Sequence, residues 1–258
     1  MKITIVTITY NAENTLQPTI ESVLAQTYPN VEHLIVDGAS HDGTLAIAEN
    51  YHKQSDAANN GHVVVIQSEP DKGLYDAMNK GLHLATGDYV LFLNAGDRFP
   101  DNNTLQFVAG QAVRNDKLPA VLYGDTNVVD KEGHFLHRRR LSPPETLTWR
   151  SFRYGMLVCH QAFYARLDIA QSVEYDLRYR YSADVDWCIR IMKKAEKQEL
   201  SLMNVHQVVV EYLNEGQTTQ HHRASLRERF SIMRKHYGLL TTLAMHAYFV
   251  LRTFIKKN

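Results

Sequence analysis

An α/β fold, with a mostly parallel sheet covered by helices on both faces and helices at the C-terminal end, is what this sequence predicts, on three observations. Short β-branched runs alternate with helical patterns through the first hundred residues. Each run is apolar enough to be buried on both faces, as parallel strands are. Turn-forming residues follow each run where a loop must lead into the next helix. With 258 residues, 44% hydrophobic and 22% charged, the chain is long enough for one full-sized core and has no disordered-class composition.

The elements follow in order. Residues 3–8, Ile-Thr-Ile-Val-Thr-Ile, predict the first strand. Leu16, Ile20, Val23 and Leu24 have helical spacing, with Pro18 in the first turns where it is tolerated. Residues 31–36 predict a second strand, 37–43 a turn-rich loop and 44–52 a helix. Residues 63–66 form a third strand, a helix runs through about Ala85, and 89–93 form a fourth strand. After Pro100 the rhythm changes: a helix over 104–114, short strands at 121–123, 127–129 and 134–138, a break at Pro143-Pro144, a helix over 184–194, a strand over 205–212, and helix from Ala224 onward. The expected division is a ligand-binding half at 1–100, a second half of the same domain at 101–215 and a helical extension at 216–258.

Zero formal net charge argues against a nucleic-acid binder. The charge is unevenly placed, however. From His221 onward eight Lys or Arg stand against the single acid Glu228, a net +7, so the first 220 residues sum to −7. Cys159 and Cys188 lie in apolar or aromatic surroundings with no framework spacing, which favours a reducing compartment. The N-terminal run lacks the features of a signal peptide. The thirteen His show no metal-ligand pairing.

Acids collect where strands end: Asp37 after the second, Asp71 shortly after the third and Asp97 after the fourth. In a parallel sheet those ends lie along one edge, where ligands bind. Carboxylates there suit ribose hydroxyls and hard divalent cations; each Asp alone is equally well read as a turn residue or cap. Neither a GxGxxG nor a GxxxxGK[ST] is present, so a diphosphate must be neutralised in another way.

Thr9-Tyr10-Asn11, residues 37–44 (DGASHDGT), residues 69–81 (EPDKGLYDAMNKG), residues 85–88 (ATGD) and residues 93–97 (LNAGD) strongly resemble, in the same order, inverting family 2 glycosyltransferases of the GT-A fold. The resemblance covers roughly the first hundred residues and implies a nucleotide-sugar donor. It assigns nucleobase and ribose contacts to Thr7, Thr9, Tyr10 and Asp37, borders the donor pocket with Asp71 and Asn79, and makes Asp97 the ligand of a divalent metal, Mg or Mn. Many relatives carry two adjacent acids there. Here Gly96 precedes Asp97 and Asn94 stands two residues earlier, so a single carboxylate is expected on the metal, with Asn94 beside the donor. In the second half Ser182-Ala183-Asp184-Val185-Asp186 and Arg190 resemble the family's base element, aligning Asp184 with the base. Residues two apart on a helix do not share a face, so Asp184 and Asp186 cannot both enter one cleft. The implied reaction is transfer to an acceptor hydroxyl with inversion, in cell-surface polysaccharide or glycolipid synthesis.

The acceptor, saccharide or lipid-linked, is less legible. Trp149, Arg153, Tyr154 and His160-Gln161 could line its pocket, although a buried, hydrogen-bonded His is at least as common. No Gln-x-x-Arg-Trp is present, which favours a single transfer. The apolar, basic-flanked segment 238–255 is short for a spanning helix and suits either an anionic membrane surface or packing on the domain or a second subunit. A cytoplasmic protein, or one peripheral on the inner face of the plasma membrane, is expected. The alternatives are a silent carbohydrate-binding or scaffold protein of this fold and a nucleotidylyltransferase, which usually starts with a Gly-rich basic loop that Thr9-Tyr10-Asn11 is not.

Overall fold

The structure, a computed structural model, describes residues 1–114, 117–214 and 222–255. Its strands are β1 (Ile3–Thr9), β2 (Val31–Asp37), β3 (Val63–Ser68), β4 (Tyr89–Phe92), β5 (Val121–Val129), β6 (Phe135–Arg138), β7 (Phe163–Arg166) and β8 (Leu202–Leu213). Its helices are α1 (Leu16–Leu24), α2 (Thr44–Ala58), α3 (Leu74–Leu84), α4 (Thr104–Ala112), α5 (Leu167–Ala170), α6 (Ala183–Lys197), α7 (His222–Tyr237) and α8 (Leu239–Ile255).

The first four strands run parallel in the order β3-β2-β1-β4, with β1 at their centre, and the sheet continues as β7-β5-β6 with β8 parallel to β5. β1 and β2 are buried almost throughout, as their continuous apolar runs require. One apolar core extends from Ile3 to Ile232, and a smaller cluster lies around Leu16, Ile35 and Tyr51. The two expected halves thus share one sheet and one main core.

Four elements differ from the sequence expectations, the one-turn α5 among them having no expected counterpart. The two short strands at 121–123 and 127–129 are one strand, β5, whose register shifts around Asp125. Gly124, which reads as a break, is needed there for close approach: a Cβ would lie 2.5 Å from the Gln207 carbonyl of β8. The C-terminal helix is two helices, parted at Gly238 with φ +81. And β7 has no expected counterpart: it is four residues long, lies between β4 and β5, and is antiparallel to both.

That strand positions chemistry. Tyr89 pairs with Arg166 and Val90 with Ala165, so as β4 runs toward its carboxyl end β7 runs back from its own beginning. The residues just before β7, His160 and Gln161, are therefore carried to the end of β4, where Asn94 and Asp97 stand.

Candidate active site

At the ends of β1, β2 and β3 the Asp37 carboxylate is 1% exposed and fully engaged. It accepts hydrogen bonds from Thr9 Oγ1 (2.9 Å), Ser40 N (2.9 Å), Ser40 Oγ (2.5 Å) and Ser68 Oγ (2.7 Å). Burial alone would raise its pKa, but these bonds outweigh burial and hold it below the usual value. Ala39 next door adopts φ +60, a left-handed conformation costing about 1–2 kcal/mol, and the grip on Ser40 holds the turn in place. Asp37, Thr9 and Thr7 are thus inside the fold. The Thr7 hydroxyl has no exposed surface and donates to the Leu93 carbonyl, fixing the end of β4. The ribose and nucleobase contacts expected of these three residues meet a geometric obstacle: their polar atoms are already committed.

The open groups at this edge are neighbours of that knot. Tyr10 is 62% exposed. Asp71 uses Oδ1 to accept from Gly73 N, and its Oδ2 lies over Gly38, 2.4 Å from where a Cβ would be. The same Cβ would lie 3.3 Å from the Tyr10 ring. Gly38 therefore lets Tyr10 and Asp71 converge, leaving a flat ring and a free carboxylate oxygen side by side. Asn79 takes another role: its amide donates to the Tyr175 carbonyl and accepts from the Tyr175 N–H, pinning that backbone to α3.

Beyond β4, Asp97 is 3% exposed. Oδ1 accepts from Leu213 N (3.0 Å) and Oδ2 from Gln161 Nε2 (3.0 Å), tying this loop to the end of β8 and the start of β7. Burial pushes its pKa up to about 6, only partly offset by those bonds and by His160. A carboxyl group whose pKa is higher in the folded chain adds stability below its ordinary value near 4, and that contribution fades as pH rises through about 6. Wild type should lose about 2 kcal/mol relative to Asp97→Asn between pH 4.5 and 7.5. Urea melts of both proteins at the two pH values check this, and parallel profiles would contradict it.

The described side chains at the end of β4 do not fit the expected metal. Both Asp97 oxygens accept hydrogen bonds from within the fold, from Leu213 N and Gln161 Nε2, and are turned inward. Gly96 beside it is covered by Leu213, whose Cδ2 lies 2.6 Å from a notional Cβ. Among the described residues the only three His, Cys, Asp or Glu side chains with ligand atoms within 4.8 Å of one another are Asp130, Glu132 and His134, in the β5–β6 turn. Asp97 is here a structural acceptor that ties the loop after β4 to the end of β8 and the start of β7.

Asp184 is the second candidate brought to this edge. It lies in the first turn of α6 with its side chain 15% exposed. Tyr75 OH donates to Oδ1 (3.1 Å), and His160 Nδ1 lies 3.3 Å from Oδ2. Tyr75 is four residues beyond Asp71, so the β3–α3 loop is linked to the α6 terminus through this bond. Asn94 Nδ2 lies 3.4 Å from His160 Nε2, giving a chain Asn94–His160–Asp184. Asn94 Oδ1 is left buried and without a partner. Burial raises the Asp184 pKa, but His160, Arg229 and Tyr75 together outweigh it and the net shift is down. Asp184 is therefore an ionised carboxylate in a nearly closed site, while the environment of Asp97 pushes the other way.

Asp186 is excluded from this chemistry by the helix. It is 0% exposed and bound to Arg190 (2.5 Å), Lys235 (2.9 Å) and His236 (2.8 Å), an ion cluster that joins α6 to α7 and holds its pKa well down. Trp149 and Tyr237 stack with ring centroids 5.6 Å apart, and Arg153 lies over Tyr154. Trp149 thus packs against α7, while Tyr154 is exposed.

The family model described as Glycosyl transferase family 2 matches residues 4–170. A PGL/p-HBAD biosynthesis glycosyltransferase of Mycobacterium bovis is 34% identical over 205 residues, covering 79% of this chain and 73% of that one. S. aureus TarS 1-349 in complex with UDP-GlcNAc is similar in structure, with TM-score 0.70, 19% identity, and coverage of 91% of this chain and 65% of that one. The mannosyltransferase PcManGT from Pyrobaculum calidifontis, in complex with GDP-Man and Mn2+, follows with TM-score 0.60, 16% identity, and coverage of 96% and 74%. These likenesses establish a GT-A-like fold, in which divalent metals are common. A parallel sheet with its polar side chains gathered at the strand ends, a family match over most of the chain and these relatives converge: this protein is a glycosyltransferase and belongs to glycosyl transferase family 2.

Proposed function

We propose that the chain transfers a sugar from a nucleoside-diphosphate sugar to an acceptor hydroxyl with inversion, Asp184 being the general base. The observation that supports this most is the state of Asp184: ionised, nearly enclosed, and aligned by Tyr75 and His160. The nucleobase lies against Tyr10, with a donor N–H or hydroxyl on Asp71 Oδ2, and Asn94 Oδ1, buried without a partner, is the acceptor left for a sugar hydroxyl. Asp184 takes the proton of the acceptor hydroxyl as its oxygen bonds to the anomeric carbon. The bond from that carbon to the phosphate oxygen breaks on the opposite face, and its electron pair leaves with the nucleoside diphosphate. Incubation with UDP-, GDP- and dTDP-sugars without acceptor should release nucleoside diphosphate slowly from one nucleotide class. Absence of release from every donor would sink the reading and leave a carbohydrate-binding or scaffold role.

The acceptor side of the proposal is a lipid-linked or cell-surface saccharide met at an anionic membrane. Among the described residues no helix is long and apolar enough to cross a membrane. On α8, however, Leu240 (84% exposed), Leu243 (50%) and Leu251 (60%) recur at helical spacing on one outward stripe. Exposed Arg223, Arg227 and Arg234 lie on the preceding helix. An apolar stripe near basic residues suits an anionic interface. The full chain should float with vesicles containing phosphatidylglycerol, and a Leu240→Asp/Leu251→Asp variant should not. Flotation by both would remove the stripe from the account, and a wild-type dimer that the variant lacks would assign it to a second copy.

A further inference from the structure

We propose that the donor's pyrophosphate is held without a divalent cation, by the guanidinium of Arg229 on α7; the inference rests on the donor reading above. A departing nucleoside diphosphate is strongly anionic, and the site must offset that charge as the bond breaks. The acids at the end of β4 do not provide a metal to do so. Asp97 faces inward with both oxygens engaged, and the adjoining Gly96, at φ +102, is covered by the Leu213 side chain.

Positive charge reaches the same place from the other end of the chain. α7 is fixed against the start of α6: Ser225 Oγ lies 2.9 Å from Ser182 Oγ, and the Glu228 carboxylate accepts from the backbone N–H groups of Arg180 and Tyr181, both at 2.8 Å. Arg229 is one helical turn beyond Ser225 and so shares the face that Ser225 turns toward α6. Its charge is close enough to help hold Asp184 ionised. Yet it forms no salt bridge with any described residue, and its Nε is buried without a hydrogen-bond partner. The other internal cations of this region are committed: Arg190 and Lys235 to Asp186, and Arg139 to the carbonyls of Leu141, Met156 and Leu157.

A guanidinium with an unmet N–H, beside a carboxylate it does not pair with, matches an oxyanion that presents two oxygens side by side to two of its nitrogens. A pyrophosphate is such a group. As the anomeric carbon–oxygen bond breaks, the electron pair passes to the phosphate oxygen facing Arg229 while the acceptor proton passes to Asp184, so the step balances without a further ion.

Calorimetric titration of the full chain with UDP, GDP and dTDP, in EDTA and in MnCl2, tests this. One nucleotide should bind with a Kd that agrees within about twofold between the two buffers. Arg229→Gln should weaken binding by about tenfold or more and Arg229→Lys by less. Each variant's melting temperature without ligand reports whether it is folded. Binding that appears only with Mn2+ would overturn the proposal while leaving the donor reading intact. Unchanged affinity in folded Arg229→Gln would overturn Arg229 as the holder. No binding of any nucleotide in either buffer would overturn the proposal and the donor reading together. If Arg229→Gln does not fold, the EDTA comparison on wild type and the Arg229→Lys titration decide the matter.

Discussion

Replacing Asp184 by Ala should leave a folded protein whose transfer rate is lower by about 10²- to 10⁴-fold, the usual contribution of a positioned base. The loss should fall on kcat. Asp184 contacts the acceptor hydroxyl in this account, whereas the donor rests on Tyr10, Asp71 and the α7 face, so KM for the donor should change little. Asp184→Asn keeps the shape and an acceptor for Tyr75 but cannot take up a proton, and its turnover should match that of Ala. Measuring kcat and KM for the donor separately checks the point. Asp186→Ala is the contrasting variant. It leaves Arg190, Lys235 and His236 without their common buried acceptor, so it should destabilise the α6–α7 contact by about 3–5 kcal/mol. Near-normal turnover in Asp184→Ala would transfer the base role elsewhere.

Asp37→Ala should be the most damaging change at the donor end, and it should act through the fold. Four donors from Thr9, Ser40 and Ser68 would lose one acceptor in a site 1% exposed. An unmet buried donor costs about 1–3 kcal/mol, with some recovery from water, so a loss of at least about 3 kcal/mol is expected. For a chain of this size that lowers Tm by about 6–12 °C. The pH dependence has a definite sign. The folded pKa of Asp37 lies below its ordinary value, so its contribution is full above about pH 4 and is lost as pH falls toward the folded value. The gap in Tm between wild type and variant should therefore be widest near neutrality and narrow below pH 4. A gap that widened in acid would contradict this account of Asp37.

Why some of this was legible in the chain and some was not follows from the physics of each element. β1, β2 and β4 are continuous apolar runs, and a strand buried on both faces can hardly be written otherwise. β7 was not legible because a run of four residues has no period to read. Its absence from the expectation hid the importance of His160 and Gln161, since only an antiparallel strand beside β4 carries them to Asn94 and Asp97. The strand-end acids were found because ligands gather there. Which acid is open was not, because engagement depends on partners distant in sequence: Ser68 for Asp37, Gln161 and Leu213 for Asp97, Gly38 above Asp71. Asp184 and Asp186 were separable in advance, since helical geometry alone sends them to different faces. Arg229 was visible only as part of the basic tail. Its position depends on Ser225 meeting Ser182, a contact between segments 43 residues apart.

The anomer first released from an α-linked nucleotide sugar bears on the mechanism most directly and needs no acceptor. With enzyme at near-stoichiometric concentration and water as acceptor, proton NMR records that anomer before it equilibrates. A base at Asp184 on the face opposite the leaving diphosphate predicts the β-anomer at the earliest times; first appearance of the α-anomer would contradict single-step displacement and the role given to Asp184.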